Sequence, residues 1–235
     1  MAEAFIRVMT YNIHGGLDRL NRPSLAQITA TIRAIRPDLA GLQEVERGFR
    51  ARAGFADQAA LLAEMLGREC RFAAAIDARP GTDRGKFGNA ALSAWPIGSS
   101  WKLRFPGGRE PRSLLGITAE TPVGRLNFLV CHLGLDPGER ARQVRAILAK
   151  ACCLRGPIVL TGDFNALPAA PELAPLFDRW REAQSERGVD LPTFIPSGAR
   201  IDYIFYSPHF RARRASVIPS PASDHHPLVA DLVAH

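Results

Sequence analysis

Three short strings near the C-terminal end of the chain place carboxylates, an amide and imidazoles where apolar runs stop. They are Gly162-Asp163-Phe164-Asn165, Ile201-Asp202-Tyr203 and Ser223-Asp224-His225-His226-Pro227. Near the N-terminus, Asn12 stands in Thr10-Tyr11-Asn12-Ile13-His14 and Glu44 in Leu42-Gln43-Glu44-Val45. A carboxylate closing an apolar strand is costly unless it is paired or binds a metal. Mg²⁺ takes few protein carboxylates and keeps several waters, so one Glu supported by an Asn and an Asp suits it. Asn12 could ligate through its carbonyl oxygen or donate to a phosphate. Asp163 could orient or deprotonate a water, and Asn165 could donate to phosphoryl oxygens as charge builds. Asp202 and His225 have the makings of an orienter and base, because an imidazole needs a carboxylate on one nitrogen to fix its tautomer. Asp224 can reach the metal side. His132, at a strand end before Gly134, could protonate a leaving group or bind an oxyanion. His226 takes a structural role, and His14 either leans toward the site or begins a loop. Together these residues imply one divalent-metal site acting on phosphate esters.

Such residues need strands to carry them. Phe5–Ile13, Asp38–Glu44, Arg71–Ile76, Asn89–Ala94, Ser113–Ala119, Arg125–His132, Pro157–Thr161, Ile201–Tyr206 and Pro227–Leu232 read as strands. In the first, alternation puts Thr10, Asn12 and His14 on one face and Tyr11 and Ile13 on the other. Ser24–Ile35, with Ser24 as N-cap, Ala56–Leu66 and Gly138–Leu154 read as helices. Thr121-Pro122-Val123-Gly124 reads as a hairpin turn. Two segments read as loops: Asp77–Gly88, and Trp101–Arg112 with its aromatic and basic residues, the kind of loop that touches substrate. Hairpins in the middle and βα units at both ends predict two sheets packed face to face with helices outside.

The bulk properties permit this and decide little. At 235 residues, 46% hydrophobic and 23% charged, the chain can bury a substantial core. No apolar run approaches the ~20 residues of a membrane helix. The expected first strand already delivers Asn12, so no cleavable leader is expected, and the default is a cytoplasmic protein with room for peripheral membrane contact. A net charge of +7 favours phosphate-bearing partners. All basic residues but Lys86, Lys102 and Lys150 are arginines, a skew that fits genome composition as well as ligand choice. Cys70, Cys131, Cys152 and Cys153 form no C-x-x-C pair and read as reduced packing residues. There is no G-x-S-x-G, P-loop, H-E-x-x-H or G-x-G-x-x-G.

At the strings above, and at Gly88-Asn89-Ala90 and Cys131-His132-Leu133-Gly134, the chain resembles the endonuclease/exonuclease/phosphatase superfamily, the deoxyribonuclease I-like group. The resemblance spans essentially the whole chain. It implies one α/β (α+β) domain over residues 1–235, a four-layer sandwich of two packed mixed β-sheets flanked by helices. It further implies Mg²⁺- or Mn²⁺-dependent phosphoester hydrolysis by in-line attack of water. Carried over, Glu44 is the main metal ligand, with Asn12, Asp163 and Asp224 close by. His225 with Asp202 is the base or phosphate-binding pair, and His132 and Asn165 contact the phosphate and transition state. Asn89, Arg112 and His14 complete the set as substrate contacts. The chain departs from the family pattern at Cys131, where Thr is common, and at Ala94, where a basic residue is common. Secreted nucleases pair the first histidine with a glutamate, for which Glu110 is the candidate here. The expectation is a monomeric phosphodiesterase or nuclease; a phospholipid or inositol-phosphate hydrolase and an inactive binding module are the alternatives.

Overall fold

A computed structural model of the chain describes residues 5–77, 85–105, 108 and 110–235. Twelve strands form two six-stranded sheets. The first contains β1 (Ile6–Asn12), β2 (Leu39–Arg47), β3 (Glu69–Asp77), β4 (Lys86–Ser93), β11 (Phe210–Val217) and β12 (Leu228–Ala234), in the order β11-β12-β1-β2-β4-β3. The second contains β5 (Ile97–Phe105), β6 (Arg112–Thr121), β7 (Gly124–His132), β8 (Ile158–Asp163), β9 (Arg181–Glu182) and β10 (Asp202–Tyr206), in the order β5-β6-β7-β8-β10-β9. Among the described strands, only β1 with β2 and β7 with β8 run parallel. Each such pair needs a crossover, supplied by α1 (Leu25–Ile35) and α3 (Pro137–Cys152). Three shorter helices, α2 (Gln58–Leu66), α4 (Ala174–Arg179) and α5 (Ala183–Glu186), complete the described α-helices.

Strand alternation generates the layers. In β1, Ile6 and Val8 face the second sheet, while Met9 and Tyr11 face α1. In β8, Val159 faces inward, while Ile158 and Leu160 face α3. Three apolar clusters result: one between the sheets, one beneath α1 and α2, and one beneath α3 and α4. This is a four-layer sandwich. The sheets approach closely at Gly41, where an added Cβ would lie 2.2 Å from Thr161 Oγ1 on β8.

Several expectations change. Trp101 lies in β5, not in a loop; beside it Gly116 leaves room for the indole, and Lys150 Nζ sits 4.6 Å from the ring centroid. β9, β11, α4 and α5 were absent from the sequence reading. Ser24 makes no side-chain cap; its Oγ donates to the Ala222 carbonyl at 2.7 Å. Asp57 and Asp136 do cap α2 and α3. Cys131 is buried and Cys70 half-buried, whereas Cys152 and Cys153 are exposed and so do not pack the interior. Within the expected loops, residues 78–84, 106, 107 and 109 lie outside the described residues. Among the described residues no helix is long and apolar enough to cross a membrane.

Candidate active site

The apolar layer between the sheets becomes polar at one end. Along β1 the inward residues run Ile6, Val8, Thr10, Asn12; along β7, Phe128, Val130, His132; along β8, Val159, Thr161, Asp163. β10 runs antiparallel to β8, so its inward series ends at Asp202, opposite Asp163. His132 also lies opposite Asp163, in the parallel register. Four polar side chains from four strands thus meet at one mouth of the sandwich, and all four residues are buried.

Asp163 is the hub. Its Oδ2 accepts from Asn12 Nδ2 at 3.0 Å and faces His132 Nε2 at 3.4 Å and His225 Nε2 at 3.7 Å. Its Oδ1 accepts from the backbone N–H of Asn165 at 2.9 Å. Burial is the main cause that raises the Asp163 carboxyl to about 7, and neighbouring Asp202 adds to it. Asn12 Nδ2 also donates to Glu44 Oε1 at 3.1 Å, so one amide joins carboxylates from both sheets. Its Oδ1 accepts from the His14 N–H at 3.0 Å.

His225 lies in the connection before β12. Its Nδ1 is 2.8 Å from Asp202 Oδ2. Burial pulls the imidazole down, but Asp202 with Asp163 and Asp224 outweighs it and pushes His225 up to about 10. Phe194 packs its ring 4.9 Å from that of His225. Ser223 Oγ donates to the Asn12 carbonyl at 2.7 Å and accepts from the His225 N–H at 3.2 Å. Thr193 Oγ1 accepts from the N–H groups of Ile201 and Asp202, each at 3.1 Å. Ser223 stood inside a conspicuous string; Thr193 and Phe194 carried no signal, because loop folding alone brings them here.

The structure relocates other residues. Glu44 does not end its strand: β2 runs on to Arg47, and the β2–β4 register slips between Leu42 and Val45. That bulge puts Glu44 at φ 58° and leaves it half-buried, while Val45 resumes the face toward the helices. His14 is not part of the β1 alternation. It sits in a tight turn at φ 49°, with its buried Nδ1 lacking a hydrogen bond and Asp224 Oδ1 at 3.9 Å. Asn89 faces the gap but donates from Nδ2 to the Ser113 carbonyl at 2.8 Å, tying the sheets together. Glu110 does not reach His132: it binds Arg112 at 2.6 Å, and Arg112 Nη1 lies 3.1 Å from His132 Nδ1. His132 is held well below the ordinary histidine value by burial first, then by the Arg112 and His225 charges.

The donor set fits a hard divalent cation. Ligand atoms of Asp163, Asp202 and His225 lie within 4.8 Å of one another, and Asp202 Oδ1 is buried without a hydrogen-bond partner. Glu44 and Asp224 add carboxylates that retain solvent access. Of the three carboxylates expected as metal ligands, Asp163 belongs to this cluster, and Asn12 touches it through its hydrogen bond to Asp163. An apolar-lined cleft near Arg7 and Asp231 lies at the opposite end of β1.

A family model described as "Endonuclease/Exonuclease/phosphatase family" matches residues 9–225. Among solved structures, an endonuclease/exonuclease/phosphatase from Beutenbergia cavernae superposes with a TM-score of 0.83 at 27% identity, covering 98% of this chain and 72% of that one. The catalytic domain of human Nocturnin gives 0.77 at 23% identity, with 98% and 94% covered. The UPF0294 protein of Photorhabdus laumondii is 34% identical over 111 residues, 46% of this chain and 40% of the relative, so the match spans less than half of that protein. The chain belongs to the endonuclease/exonuclease/phosphatase family, whose members hydrolyse phosphoester bonds.

Proposed function

We propose that this protein is a divalent-metal-dependent phosphodiesterase that breaks a P–O bond by in-line attack of water, with nucleic acid as the leading substrate class. The observation that carries this reading is the Asn12 amide donating to both Glu44 and Asp163 while Asp163 also faces two histidines. Few structural needs bring that many ionisable groups from two sheets to one buried point.

Glu44 and Asp224 would hold Mg²⁺ or Mn²⁺, with Asn12 holding Glu44 and Asp163 at a fixed spacing. When bound, the metal neutralises phosphate charge and polarises the ester. Asp163, raised toward neutrality by burial, takes the proton of the attacking water. His225, kept cationic by Asp202, binds a phosphoryl oxygen. The neutral His132 and the Asn165 amide donate to the oxygens on which charge builds.

A second reading, a lipid phosphoester, has its own observation. Among described residues the four most exposed large hydrophobics are Leu20, Phe55, Leu135 and Leu167, at 69%, 57%, 74% and 56%. Each lies in the loop after one of the four parallel strands, on the side of the site. The test is Mg²⁺- and EDTA-controlled hydrolysis of duplex and single-stranded DNA, a bis-aryl phosphate, phospholipid micelles and inositol phosphates, beside His225→Ala. The proposal expects DNA cleavage that falls steeply with salt, through counterion release, and that vanishes in the variant. Cleavage confined to micelles selects the second reading. Metal-independent activity, or none on any substrate, overturns both.

A further inference from the structure

His132 has two N–H donors aimed at its two ring nitrogens. Arg112 Nη1 lies 3.1 Å from Nδ1, and Asn165 Nδ2 lies 3.1 Å from Nε2. A neutral imidazole carries one proton and can accept at one nitrogen only. Both contacts therefore cannot be accepted at once. Arg112 cannot yield: a guanidinium has no acceptor and does not lose its proton in proteins. Asn165 can, because its Nδ2 already donates to the Leu133 carbonyl at 3.0 Å. The ring proton then belongs on Nε2, which points at Asp163 Oδ2 3.4 Å away.

We propose that Arg112 is a positioning residue that fixes the tautomer and plane of the His132 ring, so that Nε2–H is the group presented to the reacting phosphate. The surroundings are built for this. The Arg112 side chain is only 7% exposed, and Glu110, itself 45% exposed, anchors the same Nη1 at 2.6 Å. Arg112 Nε is buried with no hydrogen-bond partner among the described residues, so part of the guanidinium's desolvation goes uncompensated. The second Asn165 amide hydrogen, not accepted by the ring, remains available to a phosphoryl oxygen. A carboxylate behind the ring would impose the opposite arrangement, with Nδ1–H donating and Nε2 bare. Arg112 thus makes His132 a hydrogen-bond donor without requiring it to be charged.

The part this plays in turnover rests on the phosphodiesterase reading, but the ring assignment does not. The test is ¹⁵N NMR of protein labelled at histidine, with His132 assigned by His132→Gln among the six histidines. The wild type should show His132 Nδ1 unprotonated and Nε2 protonated. Arg112→Met should move both signals toward a tautomer average. It should also lower kcat on the bis-aryl phosphate about tenfold or more, the scale of lost orienting partners, with KM within about threefold. Arg112→Lys, which keeps a donor, should restore the wild-type pattern and part of kcat. A protonated Nδ1 in the wild type overturns the proposal, as does an Arg112→Met spectrum identical to wild type. Should Arg112→Met fail to fold, the wild-type spectrum alone decides. Should the protein hydrolyse no phosphoester, the spectrum still decides the tautomer, and only the functional reading falls.

Discussion

The two sheets are built alike. Each centres on a parallel pair in its third and fourth positions, β1–α1–β2 in one and β7–α3–β8 in the other, flanked by antiparallel strands. Each pair ends in polar residues at the same mouth. The chemistry they deliver differs. In the second sheet, Asp163 stays in regular register, lies opposite both His132 and Asp202, and is 2% exposed. In the first sheet a bulge breaks the register, and Glu44 emerges half-buried at φ 58°. Among the described residues, Asn12 is what joins it to the other half. Burial suits a group that must take a proton, because it weakens the charged form. Partial exposure suits a group that must take up a hydrated cation. On the proposed reading one topology serves two tasks, separated by a single inserted residue. Both halves pay in backbone strain at a non-glycine residue, Glu44 in one and Asn165, at φ 50°, in the other.

The contrast can be broken from either side. The largest effect is expected in the second sheet. Asp163→Asn should cut kcat by about 10²–10⁴-fold, the range for a lost general base, with an unchanged circular dichroism spectrum. Near-normal turnover would remove Asp163 from the chemistry. In the first sheet, Glu44→Gln should act on the metal instead. The Mg²⁺ concentration for half-maximal rate should rise at least about tenfold, since even outer partners of a metal act on that scale. An unaltered titration would mean Glu44 is not a ligand.

The link between the halves is open to a smaller test. Asn12→Ala removes donors to two carboxylates and should destabilise the protein by about 1–3 kcal/mol in urea unfolding. No change in midpoint would show that the bridge is not formed. A pH test concerns His225. Its pKa rises from the unfolded value of about 6.5 to about 10. The stabilisation is therefore complete below the lower value and disappears as pH climbs through the upper one. Metal-free protein should lose stability across that window, and His225→Gln should flatten the slope. Equal slopes would contradict the ion pair with Asp202.

Most inner strands were legible in the sequence because both their faces are buried, and β1, β7 and β8 read as apolar runs. The missed strands β5, β9 and β11 are sheet edges. Edge strands carry charge to avoid pairing with other chains, and Lys102 and Arg104 made β5 read as a loop, while Arg211 and Arg213 masked β11. Asp163, Asp202 and His225 were legible as costly polar groups in apolar surroundings, and the structure brings them together. The bulge at Glu44 was not, because an inserted residue has no compositional mark until its partner strand is known. The pairing of Arg112 with His132 was hidden for a similar reason. It joins two strands whose register, Leu114 opposite Cys131, sequence alone does not supply. Asn89, expected at the substrate, turned out to bond between sheets, because the Ser113 carbonyl of the other sheet lies within its reach.

The central claim is that Glu44 and Asp163, from different sheets, serve one site. Hydrolysis of a bis-aryl phosphate by wild type, Glu44→Gln, Asp163→Asn and the double variant, at one Mg²⁺ concentration, tests it most directly. Residues acting as a unit are strongly non-additive, so the double variant should be scarcely slower than Asp163→Asn alone. A double variant whose loss equals the product of the two single losses would place the carboxylates in independent roles and contradict the account.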